Sequence, residues 1–455
     1  MTGISKQLGV LERRSGIALA LIYAFRMLGL FMIIPIFAIY AEGVPGATPL
    51  LIGLALGVYG LTQSILQIPF GFLSDRIGRK PVIAMGLLIF ALGSLLAASA
   101  DSIYGIIAGR ALQGSGAIAA ALMALAADLS REEHRMKMMA FIGASIGVAF
   151  AFSMVTGPLV YEWIGLSGIF TGTAVLALLG IAILYLFVPD PVDSHFHRDA
   201  EVESSSLAGV FKNPDLLRLD AGIFILHFVL MSLFLVIPLE LRDNIGLLTS
   251  DHWKLYLPVF AVSLVIMLPF IILAESKRMM KPVFVGAIAL MYITVVGFIQ
   301  SDSEIVWIIA FTLFFTAFNF LEASLPSLVS KTASALKKGT AMGVYSSSQF
   351  LGAFAGGAVG GLAHGLWGVH GVYYMASTVV LIWFFIALTM AKPRYLSTYL
   401  LKLDDVNVSQ LLAVEGVVEA SIIQETEVDN VAYLKVDKSI LDEKQLLSFS
   451  KVAEE

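Results

Sequence analysis

Twelve long apolar runs separated by short polar loops dominate this chain. Each run is long enough to cross a bilayer, because a transmembrane helix needs about 20 mainly apolar residues. Lipid offers no partner for free backbone groups, and the alternating pattern of a transmembrane barrel is absent, so the runs are predicted to be helices. The predicted spans are residues 16–40, 50–72, 81–99, 102–128, 138–161, 166–188, 219–241, 253–274, 282–300, 304–328, 339–363 and 369–391.

Composition excludes the soluble classes of protein. The chain is 58% hydrophobic and 14% charged, whereas soluble domains carry about 25% charged residues. It contains no cysteine, which removes disulfides, thiolate metal sites and cysteine nucleophiles. Residues 1–15 are polar and the first span is too long for the apolar core of a signal peptide, so no cleavable signal is expected.

The basic residues predict the orientation in the membrane. The loops after spans 1, 3, 5, 9 and 11 contain no lysine or arginine, and the loop after span 7 has only Arg242 and the flanking Lys254. The positive-inside rule therefore places both termini in the cytoplasm, in a cell inner membrane. The loops after spans 2, 4, 8 and 10 carry three basic residues each: Arg76, Arg79, Lys80; Arg131, Arg135, Lys137; Lys277, Arg278, Lys281; Lys331, Lys337, Lys338.

A charged hairpin, residues 71–82, joins spans 2 and 3. Its spelling, GFLSDRIGRKPV, resembles the signature of the major facilitator superfamily of transporters in the loop between helices 2 and 3. The resemblance implies an all-α membrane protein with twelve transmembrane helices in two six-helix repeats. The matching residues are Gly71, Leu73, Asp75, Arg76, Gly78, Arg79 and Lys80.

An internal repeat of about 200 residues supports two halves. The run from Pro69 aligns with the run from Pro269, so that Asp75 corresponds to Glu275, and parallel six-helix repeats around a central site are a known transporter architecture. The predicted domains are residues 1–190, a cytoplasmic linker 191–218, residues 219–391, and a cytoplasmic tail 392–455.

Two segments indicate the drug:proton antiporters within this superfamily. In span 4, Arg110, Gln113, Gly114 and Gly116 resemble the antiporter motif of helix 4, and span 1 carries part of a second motif. In span 5 the match is partial, since Gly157-Pro158 is followed by Tyr161-Glu162 in place of a glycine pair. The run GGAVGG in the second half keeps glycines without the proline, and such glycines equally serve close helix packing.

Charged side chains inside the spans mark a candidate pathway for substrate and protons. Each costs at least about 2.5–3.5 kcal/mol at a helix centre, so each needs a function or a partner. The candidates are Arg26, Arg110, His227 and Glu322, together with the neutral Gln113 of the span 4 motif. For Arg110 the alternative is a structural arginine bound to carbonyl oxygens, for Arg26 and Glu322 a structural ion pair, and for His227 a neutral imidazole without a transport role.

The hairpin charges predict a gate. Asp75 is expected to meet the positive N-terminal end of span 11 at Gly339, and Arg79 to pair with Asp128 at the end of span 4. Such a cluster would lock the halves together while the cavity faces outward. Protonation of a carboxylate would bias the equilibrium between states.

The tail carries the whole net charge of −5. Its runs 395–403, 408–414, 417–424, 431–436 and 442–450, with a turn at 429–430, predict β-α-β-β-α order, most of a ferredoxin-like unit. It is similar to heavy-metal-associated domains but lacks their C-x-x-C ligand pair, so no metal site and no cofactor are predicted.

Two functions follow. The first is a proton-coupled secondary transporter, exporting small amphipathic compounds as a monomer in lipid; the second is a membrane sensor or scaffold that signals through the tail. An enzyme is not expected, because GASIG at 143–147 lies within an apolar helix rather than a strand-turn-helix. There is no Walker motif for ATP-driven transport, and no nucleic-acid partner is predicted.

Overall fold

The computed structural model describes residues 9–191, 204–300, 303–334, 337–392, 396–403, 407–424, 430–437 and 440–449. Ten of the described helices are long and apolar enough to cross a membrane. Two of these are double-length and break at a glycine with positive φ, Gly165 (64°) and Gly368 (65°). Twelve crossings result, and the predicted all-α, twelve-helix fold is confirmed.

The spans of the first half alternate direction through the bundle. Span 1 has two segments, Val10–Phe31 and Ile34–Ala41, the second with Pro35 in its first turn, where the missing N–H does no harm. Span 4 is likewise divided, into Ile103–Ser115 and Ala119–Asp128. The others are Pro49–Ile77 (span 2), Arg79–Ala98 (span 3) and Glu132–Phe187, which holds spans 5 and 6 on either side of Gly165.

The second half repeats this order. Span 7 begins earlier than the predicted residue 219, because Asn213 caps it by accepting from the backbone N–H groups of Asp215 and Leu216. A short helix, Ser204–Phe211, precedes it within the predicted linker, whose residues 192–203 lie outside the described part. The remaining spans are Pro214–Asp243 (7), His252–Ser276 (8), Met280–Gln300 (9), Glu304–Thr332 (10) and Lys338–Leu388 (11 and 12, on either side of Gly368).

The tail forms a small α+β unit. Strands β1 (Ser397–Leu403), β2 (Val417–Gln424) and β3 (Asn430–Val436) pair antiparallel in the order β1-β3-β2, with helices Val408–Leu412 and Glu443–Leu447. The elements follow the predicted order; the predicted turn residue Asp429, as well as Tyr395 and Ser450, lies outside the described residues.

The sheet of this unit has two buried sides. Ala432, Leu434 and Val436 of β3 pack in the core under the helices. The alternate residue Lys435 is also buried, and its Nζ donates to the carbonyl oxygen of Ser330 in span 10 at 2.8 Å. A second contact joins Arg278 to Asp437 at 3.5 Å. The tail therefore docks on the end of the bundle that carries the charged hairpin, which we call the hairpin face; the other end is the opposite face.

Candidate transport pathway and gate

The charged hairpin is organised around one buried arginine. Arg79 pairs through Nη1 with Asp75 and with the Ser74 hydroxyl at 2.9 Å, and through Nε with Asp128 Oδ2 at 3.2 Å. The side chains of Arg79 and Asp128 are 3% and 0% exposed, whereas Asp75 is 31% exposed. Span 2, span 3 and span 4 are thereby tied together at the hairpin face. A pair of charges this deeply buried needs both members, since either one alone would be uncompensated.

The other signature residues shape the turn. Gly78 has φ 97°, a conformation that favours glycine, so span 2 can end and span 3 begin within one residue. Lys80 contacts the end of span 6 at the hairpin face. It donates to the Val188 carbonyl at 2.6 Å and pairs with Asp190 at 2.8 Å. Gly71 lies beside Ala120 of span 4, leaving no free room for a side chain.

The two remaining hairpin residues are less constrained. Leu73 packs partly against the core of the first half. Arg76 lies exposed in the last turn of span 2, where a cation is favourable at the negative end of the helix dipole.

Among the described residues, no hydrogen bond or ion pair joins Asp75 to span 11, where a contact was expected. Among the described residues, the hydrogen-bond and ion-pair partner of Asp75 is Arg79 of its own hairpin. Gly339 is buried in the first turn of span 11, next to buried Thr340. The part of the cluster within the first half is thus formed, while the part that would join the two halves is not.

The second half keeps the hairpin geometry with different residues. Arg278 has φ 54° at the position equivalent to Gly78, so the same turn is built without glycine. Glu275, equivalent to Asp75, pairs with Lys331 at the end of span 10 at 2.7 Å. The second-half hairpin therefore links spans 8 and 10, as Arg79 links spans 3 and 4.

Arg110 is fully buried and bound to neutral oxygens. Its Nε and Nη2 donate to the carbonyl oxygens of Ala55 and Leu56 in span 2, both at 3.2 Å, and Nη1 donates to Gln113 Oε1 at 3.0 Å. Gln113 in turn donates to Ser94 Oγ of span 3 at 2.7 Å. This geometry is that of the structural alternative: Arg110 joins span 4 to span 2 through two carbonyl oxygens and, through Gln113, to the Ser94 hydroxyl of span 3.

Arg26 is buried on the other side of Tyr59. The Arg26 and Arg110 guanidinium carbons lie 5.6 and 5.2 Å from the centroid of that ring, within cation–π range. Arg26 Nη2 donates to Gln63 Oε1 at 2.6 Å and to the Gly116 carbonyl at 2.9 Å. No ion pair joins Arg26 to Glu322 or to another carboxylate within the described residues.

Glu322 and His227 come together in the second half. Gln349 Nε2 donates to Glu322 Oε1 at 3.2 Å and lies 2.9 Å from His227 Nε2; His227 Nδ1 lies 3.9 Å from Glu322 Oε2. The Gln349 amide therefore connects the Glu322 carboxylate to the His227 ring. The Glu322 side chain is 37% exposed although it lies deep in span 10, so it faces open space inside the bundle.

Sequence reasoning missed Asp220. It lies in span 7, is 6% exposed, and neither carboxylate oxygen has a hydrogen-bond partner among the described residues. Asp220 and His227 are seven residues apart, two helical turns or about 10 Å on one face of span 7. That spacing is the signal that could have revealed it, but the predicted start of span 7 at 219 made Asp220 an interfacial residue.

A second missed cluster joins spans 1 and 5 at the hairpin face. Glu12 accepts from the backbone and guanidinium of Arg131 and contacts His134 Nδ1 at 3.0 Å. The sequence separation of more than a hundred residues gives no local pattern from which to predict it.

At the opposite face the two halves are in direct contact. Arg242 of span 7 pairs with Glu42, after span 1, at 2.7 Å. Glycines on one side of span 11 meet glycines of span 2: a Cβ on Gly357 would overlap the carbonyl of Gly53, and one on Gly361 would lie 3.0 Å from the Leu50 Cα. Further along the same interface, the Ser64 hydroxyl donates to Ser347 O at 2.9 Å. The opposite face is therefore sealed by backbone-level packing.

Comparison with known proteins identifies the family. Residues 19–357 match the Major Facilitator Superfamily. The chain belongs to this superfamily. It is 44% identical over 438 residues to the Escherichia coli inner membrane transport protein YajR, covering 94% of this chain and 95% of that protein. It is 29% identical over 223 residues to the multidrug resistance protein MdtM of Salmonella typhimurium, covering 48% and 54%.

A solved structure shares the fold. A bacterial homologue of the human lysosomal transporter Spinster, in an inward-facing and occupied conformation, superposes with a TM-score of 0.68 at 13% identity, covering 85% of this chain and 98% of that one. The superfamily predicted from the hairpin is confirmed, and the chain is a multi-pass membrane transporter rather than an enzyme.

Proposed function

We propose that this protein is a proton-coupled secondary transporter that exports small amphipathic compounds. The observation that carries the proposal is the pair of acidic side chains inside the second half, Glu322 and Asp220. Neither has a lysine or arginine partner among the described residues. A carboxylate in a membrane span is costly when charged. Protonation and deprotonation of that carboxylate therefore change the relative free energies of the conformational states.

Glu322 is suited to accept that proton. Its Oε1 is held by Gln349, while Oε2 faces the Nδ1 of His227. Because part of the side chain is exposed inside the bundle, a proton can reach it when the cavity opens. Asp220 lies nearer the hairpin face on the same helix as His227, which places it on a route between Glu322 and the cytoplasm.

Alternating access is proposed to use two contacts between the halves. The contact of span 2 with span 11, reinforced by Glu42 and Arg242, closes the opposite face in this structure. The expected Asp75 contact with span 11 would close the hairpin face in the other state. On this proposal the structure is an inward-facing state. Asp75 pairs with Arg79 while the hairpin face is open and becomes available to span 11 when that face closes.

The remaining expectations are part of the same proposal. Both termini lie in the cytoplasm, because the basic loops collect at the hairpin face, and the protein acts as a monomer within the bilayer. The sensor alternative is not favoured, since the relatives are named as transporters.

Flux in proteoliposomes under an imposed pH gradient tests the proposal. The substrates are a fluorescent panel containing anionic, neutral and cationic amphipathic dyes. We expect at least one dye to be driven by the gradient, and Glu322→Gln and Asp220→Asn to reduce the response to pH while preserving the folded protein. Exchange of dyes with no dependence on the gradient, or no flux of any dye, would contradict proton-coupled transport.

A further inference from the structure

The two halves of the bundle carry buried side chains of opposite charge, and we call these two sets the first-half wall and the second-half wall. In the first half, Arg26 and Arg110 are both buried with no carboxylate partner among the described residues. In the second half, Glu322 and Asp220 have no strongly basic partner within the same described part. Buried charges are normally paired. We therefore expect an anionic ligand at the first-half wall and a proton at the second-half wall.

Arg110 serves as an internal reference for Arg26. All three nitrogens of Arg110 donate, to two carbonyl oxygens and one amide oxygen. Arg26 uses Nη2 alone: Nε and Nη1 are buried, and neither has an acceptor among the described residues. Every nitrogen of Arg110 therefore has an acceptor within the protein, whereas two nitrogens of Arg26 have none among the described residues.

The surroundings of Arg26 provide donors and aromatic surface. The Tyr59 hydroxyl, on the ring that lies 5.6 Å from the Arg26 guanidinium, is buried and has no partner in the described part of the chain. Phe90 lies on Arg26 at 5.5 Å, and Phe350 of span 11 contacts Tyr59 at 6.3 Å between ring centroids. An oxyanion can accept from these donors, and an apolar group attached to it can pack against the aromatic rings.

We propose that Arg26 and the Tyr59 hydroxyl form the binding site for the anionic group of an amphipathic carboxylate substrate. As a substrate site this rests on the proposed function. Residue 350 follows Gln349, the partner of Glu322, so span 11 connects the two walls. The carboxylate seats on the first-half wall because the acidic second-half wall repels it, and the apolar body lies against Tyr59 and Phe350.

Binding of three probes of one shape tests the charge preference. Naphthylacetate, its neutral amide naphthylacetamide and the cation naphthylethylammonium are titrated against the full-length protein in phosphatidylcholine nanodiscs, without a pH gradient. A charge-assisted contact to a buried guanidinium predicts that the carboxylate binds about tenfold tighter than the amide. Equal affinity for the three probes, preference for the cation, or no binding of the carboxylate overturns the inference.

Variants assign the preference to Arg26. Arg26→Gln is expected to abolish the tenfold preference, with a smaller loss of affinity for the amide than for the carboxylate, and Arg26→Lys to keep part of the preference because the charge remains. Glu322→Gln is expected to tighten the carboxylate, since a repelling charge is removed. If Arg26→Gln does not fold, the other two variants still decide; an unchanged preference in Arg26→Lys together with no gain in Glu322→Gln refutes the assignment.

The outcome is separable from that of the transport assay. Failure of naphthylacetate to bind, with dyes still driven by the pH gradient, overturns the substrate class and leaves proton-coupled transport standing. Binding of naphthylacetate at Arg26 without gradient-driven flux of it overturns the role of the site in transport. Binding at Arg26 with gradient-driven flux supports both.

Discussion

Gly357→Ala should shift the protein away from the state described here. A Cβ on Gly357 would overlap the carbonyl oxygen of Gly53 and lie 3.1 Å from the Gly57 nitrogen, all in backbone that cannot rotate aside. Spans 2 and 11 must then separate by about 1 Å to restore ordinary contact. Overpacking of this kind costs about 1–3 kcal/mol. Only the state with a sealed opposite face bears this cost, so the ratio of states should change by about 5- to 150-fold.

The absence of cysteine in the chain makes the measurement direct. Spin labels on Asp101→Cys and Leu248→Cys, both exposed at the opposite face of different halves, report the separation by double electron–electron resonance. We expect a longer-distance population to appear in Gly357→Ala.

Two glycine variants provide matched controls. Gly356→Ala should not change the distance distribution, because a Cβ there meets Phe228 of span 7, within the same half, 2.7 Å from its Cα; its effect is a lower melting temperature. Gly286→Ala, with nothing within 4 Å, should change neither quantity. An unchanged distance distribution in Gly357→Ala, or an equal shift in Gly356→Ala, would refute the reasoning.

Four further predictions concern other elements. Asp75→Asn should strongly slow gradient-driven flux with near-normal expression, because it removes a gate charge that is already 31% exposed; wild-type flux would exclude the gate. Arg110→Ala should lower the melting temperature more than Arg110→Lys, because the carbonyls of span 2 lose their donors; loss of pH-dependent flux with normal melting would instead make it a coupling residue. Burial lowers the pKa of Lys435 to about 8 from 10.5, so the docked tail binds fewer protons than the released tail between these values. Docking should therefore strengthen as pH rises from 8 to 10.5 and stay constant below pH 8; energy transfer between labels on Lys277→Cys and Gln445→Cys measures it, and a response retained in Lys435→Met would contradict this origin. Removal of residues 392–455 should leave a monodisperse bundle on size-exclusion chromatography, since the tail packs around a small core of its own; aggregation would show that the tail is needed for folding.

Local sequence patterns were enough to predict the membrane spans, the superfamily and one ion pair of this protein. Apolar length predicts the twelve spans, because only helices or closed barrels can cross a bilayer and the alternating pattern of a barrel is absent. The breaks at Gly165 and Gly368 fall in the intervals predicted to separate spans. The spelling of the hairpin identified the superfamily. The pairing of Arg79 with Asp128 was also expected, since span 3 begins at Arg79 and span 4 ends at Asp128 on the same face.

The tertiary structure decided the partners inside the membrane. Hydropathy does not encode how far each helix is rotated, so sequence reasoning could not separate Arg110 from Arg26. All three nitrogens of Arg110 donate, whereas two nitrogens of Arg26 have no acceptor among the described residues. Sequence reasoning could not find the Glu42 and Arg242 pair either, because residues 200 positions apart meet only when the halves pack. Which side of span 11 faces span 2 is settled by the same packing, and with it the difference between Gly356 and its neighbour Gly357.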